Sequence, residues 1–253
     1  MGSILCLETS SRICSVAIGS NGVIIACQES EHGNAHSSVL TGLVERSLQQ
    51  AGMELPGIDA VAVSMGPGSY TGLRIGVATA KGFCYALDKP LISVPTLKSL
   101  ALGMRGYLES ESQEGRLPSD HPFMQANDFF RVPYLLCPML DARRMEVYCA
   151  VYDKSMLELL PVSAQIISPG SFSDLLPGNR IIFAGEGASK CKTNLDYSQN
   201  SFFLDDFKLS ARFLYPLADE KFGRHEFENL AYFEPHYLKD FVAGKPRVKG
   251  LKE

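Results

Sequence analysis

The chain has 253 residues, of which 45% are hydrophobic and 21% charged, and its formal net charge is −4. This composition predicts a globular protein and excludes a fibrous or low-complexity chain. Proteins that hold nucleic acid through many phosphate contacts are usually basic, so nucleic acid is not expected to be the sole ligand. Seven scattered cysteines favour a reducing compartment over a disulfide framework or zinc ribbon. With no basic leader and no long apolar run, we expect a cytoplasmic protein without membrane contact.

The first hundred residues alternate between short apolar runs and turn signals. Strands are predicted at 4–7, 13–18 and 23–28, and Asn21-Gly22 marks a hairpin between the last two. An amphipathic helix follows at 36–50, and then a buried strand at 58–65. Further elements are a helix at 71–87, a strand at 91–94 and a helix that begins near residue 96. This order predicts a mixed sheet covered by helices.

A glycine-rich turn joins the strand at 58–65 to the helix at 71–87. Gly66 and Gly68 permit a sharp bend, and Ser69 or Thr71 can cap the helix. A strand, a glycine turn and a helix N-terminus form the usual cradle for an anion. The Lys-Ser/Thr pair of a nucleoside-triphosphate loop is missing, so a phosphate site and a plain tight turn both remain open.

The helix at 71–87 carries a stripe of small residues, Gly72, Gly76, Ala80 and Cys84. A glycine inside a helix costs about 1 kcal/mol relative to alanine, so we expect another backbone to approach this stripe closely. That backbone could belong to the same chain or to a partner. The opposite face, with Arg74, Lys81 and Tyr85, is either solvent-exposed surface or a contact for a partner or a phosphate.

The second half repeats the first in weaker form. Strands are predicted at 135–140, 145–152 and 181–184, the last running into a Gly185-Glu186-Gly187 turn, and a helix at 210–222. We expect one lobe at 1–100 and a second at 101–253, the latter with a polar surface insertion near 109–128. The chain ends in a basic tail that is either a solvated terminus or an RNA contact. Its basic residues are Lys239, Lys245, Arg247, Lys249 and Lys252.

Two halves of this kind, each with an acidic residue after its first strand, resemble the superfamily of actin, hexokinase and heat-shock-chaperone ATPases. Within it, residues 66–82 resemble the TsaB family, also called YeaZ or glycoprotease M22-like, and segments 7–10, 139–148 and 235–239 agree. The resemblance implies an α/β fold of two related lobes of actin-like, ribonuclease-H-like type, with mixed sheets covered by helices.

TsaB proteins are non-catalytic partners of TsaD in the synthesis of threonylcarbamoyladenosine in tRNA, with the ATPase TsaE as third member. The resemblance therefore implies a TsaD heterodimer, a homodimer where TsaD is absent, and tRNA contact through the complex rather than alone. It implies no cofactor in the isolated protein, although a nucleotide could lie at the partner interface. It places that interface on the two N-terminal helices, at His36, Leu40, Leu43, Arg74, Val77, Ala78, Lys81 and Tyr85.

Two enzymatic alternatives stay open, a weak ATPase or kinase and an M22-type metallopeptidase. His32 and His36 lack a third ligand, so we expect no metal site, and we assign no catalytic residue. A phosphate or nucleotide turn would use Glu8 and Asp141, but Arg143 and Arg144 crowd the second turn, and both carboxylates could simply cap backbone amides. The full set for such a turn is Glu8, Thr9, Ser10, Gly66, Gly68, Ser69, Asp141, Gly185 and Gly187.

Overall fold

A computed structural model describes residues 2–31, 36–113, 133–196 and 198–239. The first half contains β1 (Ile4–Glu8), β2 (Cys14–Ser20), β3 (Val23–Ser30), α1 (His36–Ala51), β4 (Ala60–Gly66), α2 (Tyr70–Leu87), β5 (Leu91–Pro95) and α3 (Thr96–Gln113). The second contains β6 (Tyr134–Asp141), β7 (Glu146–Asp153), β8 (Glu158–Ile166), β9 (Arg180–Ala184), α4 (Glu186–Leu195), β10 (Ser201–Leu204) and α5 (Tyr215–Gly223). Short 3-10 turns lie at Leu55–Gly57 and Ala211–Phe213.

The two halves form two five-stranded sheets with the same topology. The first has the order β3-β2-β1-β4-β5, and the second has the order β8-β7-β6-β9-β10. In each sheet the central strand pairs antiparallel with the next strand of its hairpin and parallel with a later strand. The predicted α/β class, mixed sheets and internal repeat are confirmed.

Local signals in the first half are realised as predicted. Asn21 and Gly22 both have positive φ, 52° and 81°, as a two-residue hairpin turn requires. Ser69 caps α2, and its hydroxyl accepts a hydrogen bond from the Gly72 amide at 3.2 Å.

Three features of the second half differ from expectation. Strand β8 was not predicted, because Pro161 weakens its strand pattern; the structure tolerates this proline on the edge strand of the sheet. Strand β10, with only four residues, was also missed. The helix expected at 210–222 is instead a 3-10 turn followed by α5, because Pro216 cannot continue a helix through its own position and fits the first turn of a new one.

Helix α5, the last helix that the structure describes, packs on the first lobe. Helices α1 and α2 cover one face of the first sheet, whereas Ala211, Leu214, Tyr215 and Ala218 cover its other face. Tyr215 lies flat on Gly19, where a Cβ would come within 2.2 Å of the ring. Helix α3 packs mainly against the second sheet. A boundary at residue 100 therefore separates the two sheets. It does not separate the helices, because α3 begins before it and packs on the second sheet, whereas α5 lies after it and packs on the first.

The insertion and the basic tail fall largely beyond the described residues. Residues 109–113 form the last part of α3, and the remainder of the predicted insertion, 114–128, is outside the described ranges. The tail after Lys239 is likewise outside them. None of the described helices combines the length and the apolar character needed to cross a bilayer.

Candidate functional site

Glu8 ends β1 and is completely buried. Its Oε1 accepts hydrogen bonds from the Ser10 amide at 2.7 Å, the Ser10 hydroxyl at 2.5 Å and the Ser64 hydroxyl at 3.0 Å. Its Oε2 is buried without a hydrogen-bond partner. Burial raises the pKa of this carboxyl group, and the hydrogen bonds from Ser10 and Ser64 oppose the rise. Glu8 thus holds the β1–β2 turn together from the inside.

The glycine turn after β4 packs directly on the β1–β2 turn. The Ser69 amide donates to the Ser10 carbonyl at 2.7 Å, and a Cβ on Gly68 would lie 2.6 Å from that same oxygen. A Cβ on Gly72 would lie 2.0 Å from the Thr9 carbonyl oxygen. The Thr9 hydroxyl in turn donates to the Gly72 carbonyl at 2.8 Å.

These contacts identify the backbone that approaches the small-residue stripe. It is the chain's own β1–β2 turn, since a Cβ on Gly76 would also meet the Thr9 hydroxyl at 2.2 Å. Gly66 is enclosed as well, because a Cβ there would lie 2.5 Å from the carbonyl oxygen of His236. The space between the two turns is filled by their own atoms, which favours the tight-turn interpretation over a phosphate cradle.

The corresponding turn of the second lobe is more open. Asp141 accepts a hydrogen bond from the Arg143 amide at 2.8 Å and forms an ion pair with Lys190 on α4. The Lys190 ammonium also donates to the Glu146 carbonyl at 2.7 Å. The side chains of Asp141 and Lys190 remain 28% and 22% exposed, so this carboxylate sits at a solvated edge.

Gly185 and Gly187 lie against the end of β6. A Cβ on Gly185 would come within 2.4 Å of the Met139 carbonyl, and one on Gly187 within 2.9 Å of the Leu140 carbonyl. As in the first lobe, these glycines let a helix start close to the backbone of the central strand.

One contact between the lobes joins the two turns. The Arg12 amide donates to the Glu186 carboxylate at 3.0 Å, and the Arg12 guanidinium lies 4.0 Å from it. Burial raises the pKa of Glu186, and the charge and amide of Arg12 oppose that rise. The sequence did not predict this contact, because a contact between positions so far apart in the chain leaves no local signal.

The expected partner interface is only partly exposed. His36, Leu40, Leu43 and Val77 are at most 6% exposed and belong to the interior of the first lobe, so their assignment to a partner surface is corrected. Their side chains are needed to cover the first sheet. Lys81 also binds within the chain, donating to the carbonyls of Ala231 and Phe233 at 3.3 and 3.2 Å. Arg74, Ala78 and Tyr85 are exposed.

Only one histidine of the pair, His36, lies within the described residues. His36 is buried, and its Nε2 lies 2.8 Å from the Ser11 carbonyl oxygen, while His32 falls outside the described ranges. Across residues 2–31, 36–113, 133–196 and 198–239, no three His, Cys, Asp or Glu side chains form a metal-binding group.

Two surface cavities lie away from these turns. One of about 470 Å³ lies between β3 and α1, lined by Glu29, Glu31 and Arg46 among others. The other, of about 530 Å³, lies beside α3 and is lined by Tyr107, Phe207 and Phe213 among others. None of the residues predicted for a nucleotide turn lines either cavity.

Comparison with known proteins gives consistent matches. Residues 29–118, which include the glycine turn, match the family described as TsaD, tRNA N6-adenosine threonylcarbamoyltransferase. The chain is 36% identical over 100 residues to the tRNA threonylcarbamoyladenosine biosynthesis protein TsaB of Escherichia coli, covering 40% of this chain and 43% of that protein. It is 29% identical over 151 residues to the TsaB protein of Bacillus subtilis, covering 60% of this chain and 55% of that protein.

A solved structure from Pseudomonas aeruginosa, described as an uncharacterized protein with similarity to peptidase YeaZ, superimposes with a TM-score of 0.74. It covers 94% of this chain and 100% of that chain at 23% identity. The chain is thus similar to TsaB proteins in sequence and to a YeaZ-like structure in fold. The matched segments span less than two thirds of the TsaB sequences from the two species named above.

Proposed function

We propose that this TsaB-type chain is a non-catalytic subunit of the complex that makes threonylcarbamoyladenosine in tRNA. In this role it binds and activates TsaD, with TsaE as third member, in the cytoplasm. The names of its relatives support the pathway. The observation that carries the non-catalytic role is the filled first turn, where Glu8 is completely buried and Thr9 and Ser10 touch the glycine turn.

A nucleotide-hydrolysing member of this superfamily needs carboxylates that reach Mg²⁺ and backbone amides that face the phosphates. Here Oε1 of Glu8 accepts hydrogen bonds from Ser10 and Ser64, and the Ser69 amide donates a hydrogen bond to the Ser10 carbonyl. Asp141 is paired with Lys190. We therefore expect that any nucleotide is held at the interface with TsaD rather than by this chain alone.

The outward side of α2 is the surface that best suits a helical partner. We call it the outer α2 face; it consists of Arg74, Ala78, Gly82, Tyr85 and Ala86, all exposed. A Cβ on Gly82 would meet no atom of the described residues within 4 Å, so nothing in that part of the chain requires a glycine there. An exposed glycine in mid-helix costs about 1 kcal/mol, and a closely approaching partner helix would supply the reason. We expect this contact to exceed about 1,000 Å² in total.

Co-purification with TsaD of the same organism tests the proposal. Gly82→Leu should keep the fold, because the new side chain points into open space, and should reduce TsaD binding at least about tenfold by blocking close approach. Gly106→Leu is the matched control, since this glycine of α3 is also exposed and its Cβ would also meet nothing within 4 Å. Arg74→Glu should weaken binding while the thermal midpoint stays nearly unchanged.

If Gly82→Leu binds TsaD as tightly as the unchanged chain while a second-lobe change abolishes binding, the outer α2 face is not the interface. The same two variants, studied without TsaD, show whether a homodimer uses this face.

Catalysis is tested with the components separately. The chain alone should hydrolyse neither ATP nor peptides above background, and TsaD with TsaE should restore nucleotide turnover and tRNA modification. Steady ATP hydrolysis by the chain alone that disappears in Asp141→Asn would establish the kinase-like alternative instead.

A further inference from the structure

The segment that follows α5 returns to the first lobe. Residues 228–237 run there as an irregular stretch of chain, which we call the strap. At its beginning the Glu228 amide donates to the Leu91 carbonyl at 2.9 Å, and near its end the His236 amide donates to the Met65 carbonyl at 2.7 Å. Both acceptors belong to strands of the first sheet, β5 and β4. The strap is therefore fixed to the body of the protein at both ends.

Between these ends the strap lies along one flank of α2. The Lys81 ammonium donates to the carbonyls of Ala231 and Phe233 at 3.3 and 3.2 Å. Further along, the Tyr237 ring packs on the Tyr70 ring with centroids 4.7 Å apart. With 3.6 residues per turn, positions 70 and 81 lie within about 20° of each other around the helix axis. The strap therefore follows a single flank of α2, from residue 81 back to residue 70.

The strap holds the side chain of Tyr232 in solvent. The amides of Ala231 and Tyr232 donate to the Asn229 side-chain oxygen at 3.0 and 3.3 Å, and the Phe233 amide donates to the Asn229 carbonyl at 2.8 Å. Phe233 is buried in the core that α1 and α2 cover, whereas its neighbour Tyr232 is 84% exposed. Since the side-chain oxygen of Asn229 and the Lys81 ammonium both hold this backbone, the exposure of the tyrosine is set by a fixed turn.

Two exposed tyrosines are neighbours of the same lysine. Tyr85 and Tyr232 are the most exposed large apolar side chains in the part of the chain that the structure describes, at 85% and 84%. Tyr85 lies one helical turn beyond Lys81, and Tyr232 lies between the two residues whose carbonyls Lys81 binds. Tyrosines held on a rigid backbone are enriched in protein interfaces, because they supply a large contact area at a small entropic cost.

The strap is also continuous with the outer α2 face. Arg74, a member of that face, donates to the Tyr70 hydroxyl at 3.0 Å, and Tyr70 in turn packs against Tyr237 of the strap. A helix lying on the outer α2 face would therefore meet the strap along one side. There Tyr85 and Tyr232 would offer it apolar ring surface from two separate elements.

We propose that the strap is part of the surface that binds TsaD, with Tyr232 as its main contact, and this inference rests on the function proposed above. The TsaD surface that it meets is apolar at this point, because it covers the rings of Tyr85 and Tyr232. Lys81 is a positioning residue in this arrangement. It holds the strap against α2 through two backbone carbonyls, and its ammonium does not itself contact the partner.

The test is the dissociation constant of the complex between the full-length chain and TsaD of the same organism, measured by titration calorimetry. Tyr232→Ala should raise it at least about tenfold, because buried aromatic side chains contribute most to the free energy of an interface. Tyr232→Phe keeps the ring and should change it less than about threefold. The control is Ile166→Ala, which removes an apolar side chain that is 76% exposed at the end of β8. All three variants should keep the thermal midpoint, since the altered side chains are exposed.

The positioning role of Lys81 is tested by combining two changes. Lys81→Met keeps an unbranched side chain of similar length and removes the donor to the strap. It should weaken TsaD binding in the unchanged chain but have little further effect in a chain that already carries Tyr232→Ala, because both changes act through the same contact. An equal loss in both backgrounds would mean that Lys81 touches TsaD directly, and the positioning role would be wrong.

Equal TsaD affinity for Tyr232→Ala and Ile166→Ala would overturn the strap contact, even where Gly82→Leu loses TsaD and the outer α2 face stands. A second overturning result is a homodimer that Tyr232→Ala dissociates, as measured by sedimentation velocity, while TsaD binding stays unchanged. The strap would then bind a second copy of this chain. Failure of the unchanged chain to bind TsaD at all would instead contradict the proposed function, and the unchanged chain is therefore titrated first.

Discussion

The carboxyl ends of β1 and β6 occupy equivalent places in two sheets of identical topology, yet the chain uses them differently. At the end of β1, Glu8 is buried with hydroxyl and amide donors, and the glycines of α2 let that helix pack closely on the turn. At the end of β6, Asp141 is partly exposed and ion-paired with Lys190, and the turn displays the exposed Arg143 and Arg144. Equivalent positions of a repeated fold can thus serve the core in one copy and the surface in the other.

The largest effect should come from the glycines of α2. Gly72→Ala should destabilise the protein by about 3 kcal/mol, because its Cβ would lie 2.0 Å from a backbone oxygen that cannot move freely. Gly187→Ala, the second-lobe counterpart, should cost less, since its nearest contacts are at 2.9 Å. Gly82→Ala should stabilise by up to about 1 kcal/mol. Urea unfolding measures the free energy of unfolding of all three variants. Equal destabilisation by Gly72→Ala and Gly187→Ala would contradict the tighter packing of the first turn.

The buried carboxylate should give the next effect. Glu8→Ala should cost about 2–3 kcal/mol, because the amide and hydroxyl of Ser10 and the hydroxyl of Ser64 lose their acceptor. Glu8→Gln keeps an acceptor oxygen in the same place and should be far milder.

The unchanged protein and the Glu8→Gln variant should also differ in how their stability depends on pH. The pKa of Glu8 is raised in the folded state, so the folded state binds a proton more readily than the unfolded chain. Its contribution to stability is therefore greatest at acid pH and falls as pH rises from about 4.5 toward the raised pKa. Unfolding curves at several pH values should show Glu8→Gln gaining on the unchanged protein as pH increases. A pH-independent difference would place the carboxylate in a solvated environment.

The smallest effect should come from Asp141. Asp141→Asn keeps an acceptor for the Arg143 amide and loses only the partly exposed ion pair with Lys190, so it should cost less than about 1 kcal/mol. Added salt should shrink that cost further. A loss as large as that of Glu8→Ala would mean that both turns have the same structural role.

Much of the first half could be predicted from sequence, because apolar runs bounded by Asn21-Gly22 and by the glycine turn coincide with strands and helices. The stripe at Gly72 and Gly76 correctly indicated a close backbone, but not which one, since that depends on long-range packing. His36, Leu40, Leu43 and Val77 were assigned to an interface because the family resemblance implies a partner on the two N-terminal helices, and it does not say which residues of those helices the chain's own sheet covers. The Arg12–Glu186 contact joins distant residues and therefore leaves no local signal in the sequence. The helix break before α5 does leave one, because Pro216 favours the first turn of a new helix.

The packing of Tyr215 against Gly19 affects how the chain can fold while it is being synthesised. A ribosome releases the whole first sheet early, but the residues that cover its second face, Ala211–Ala218, emerge only after the entire second sheet. Until then the apolar side chains of Ile4, Ala62 and Ile92 face the surroundings of the nascent chain. Closing so long a loop is slow relative to local folding, and the N-terminal segment alone lacks a lid for its sheet. Helix α5, the last helix that the structure describes, therefore completes the first lobe. A chain that stopped before it would leave one apolar face of the first sheet uncovered.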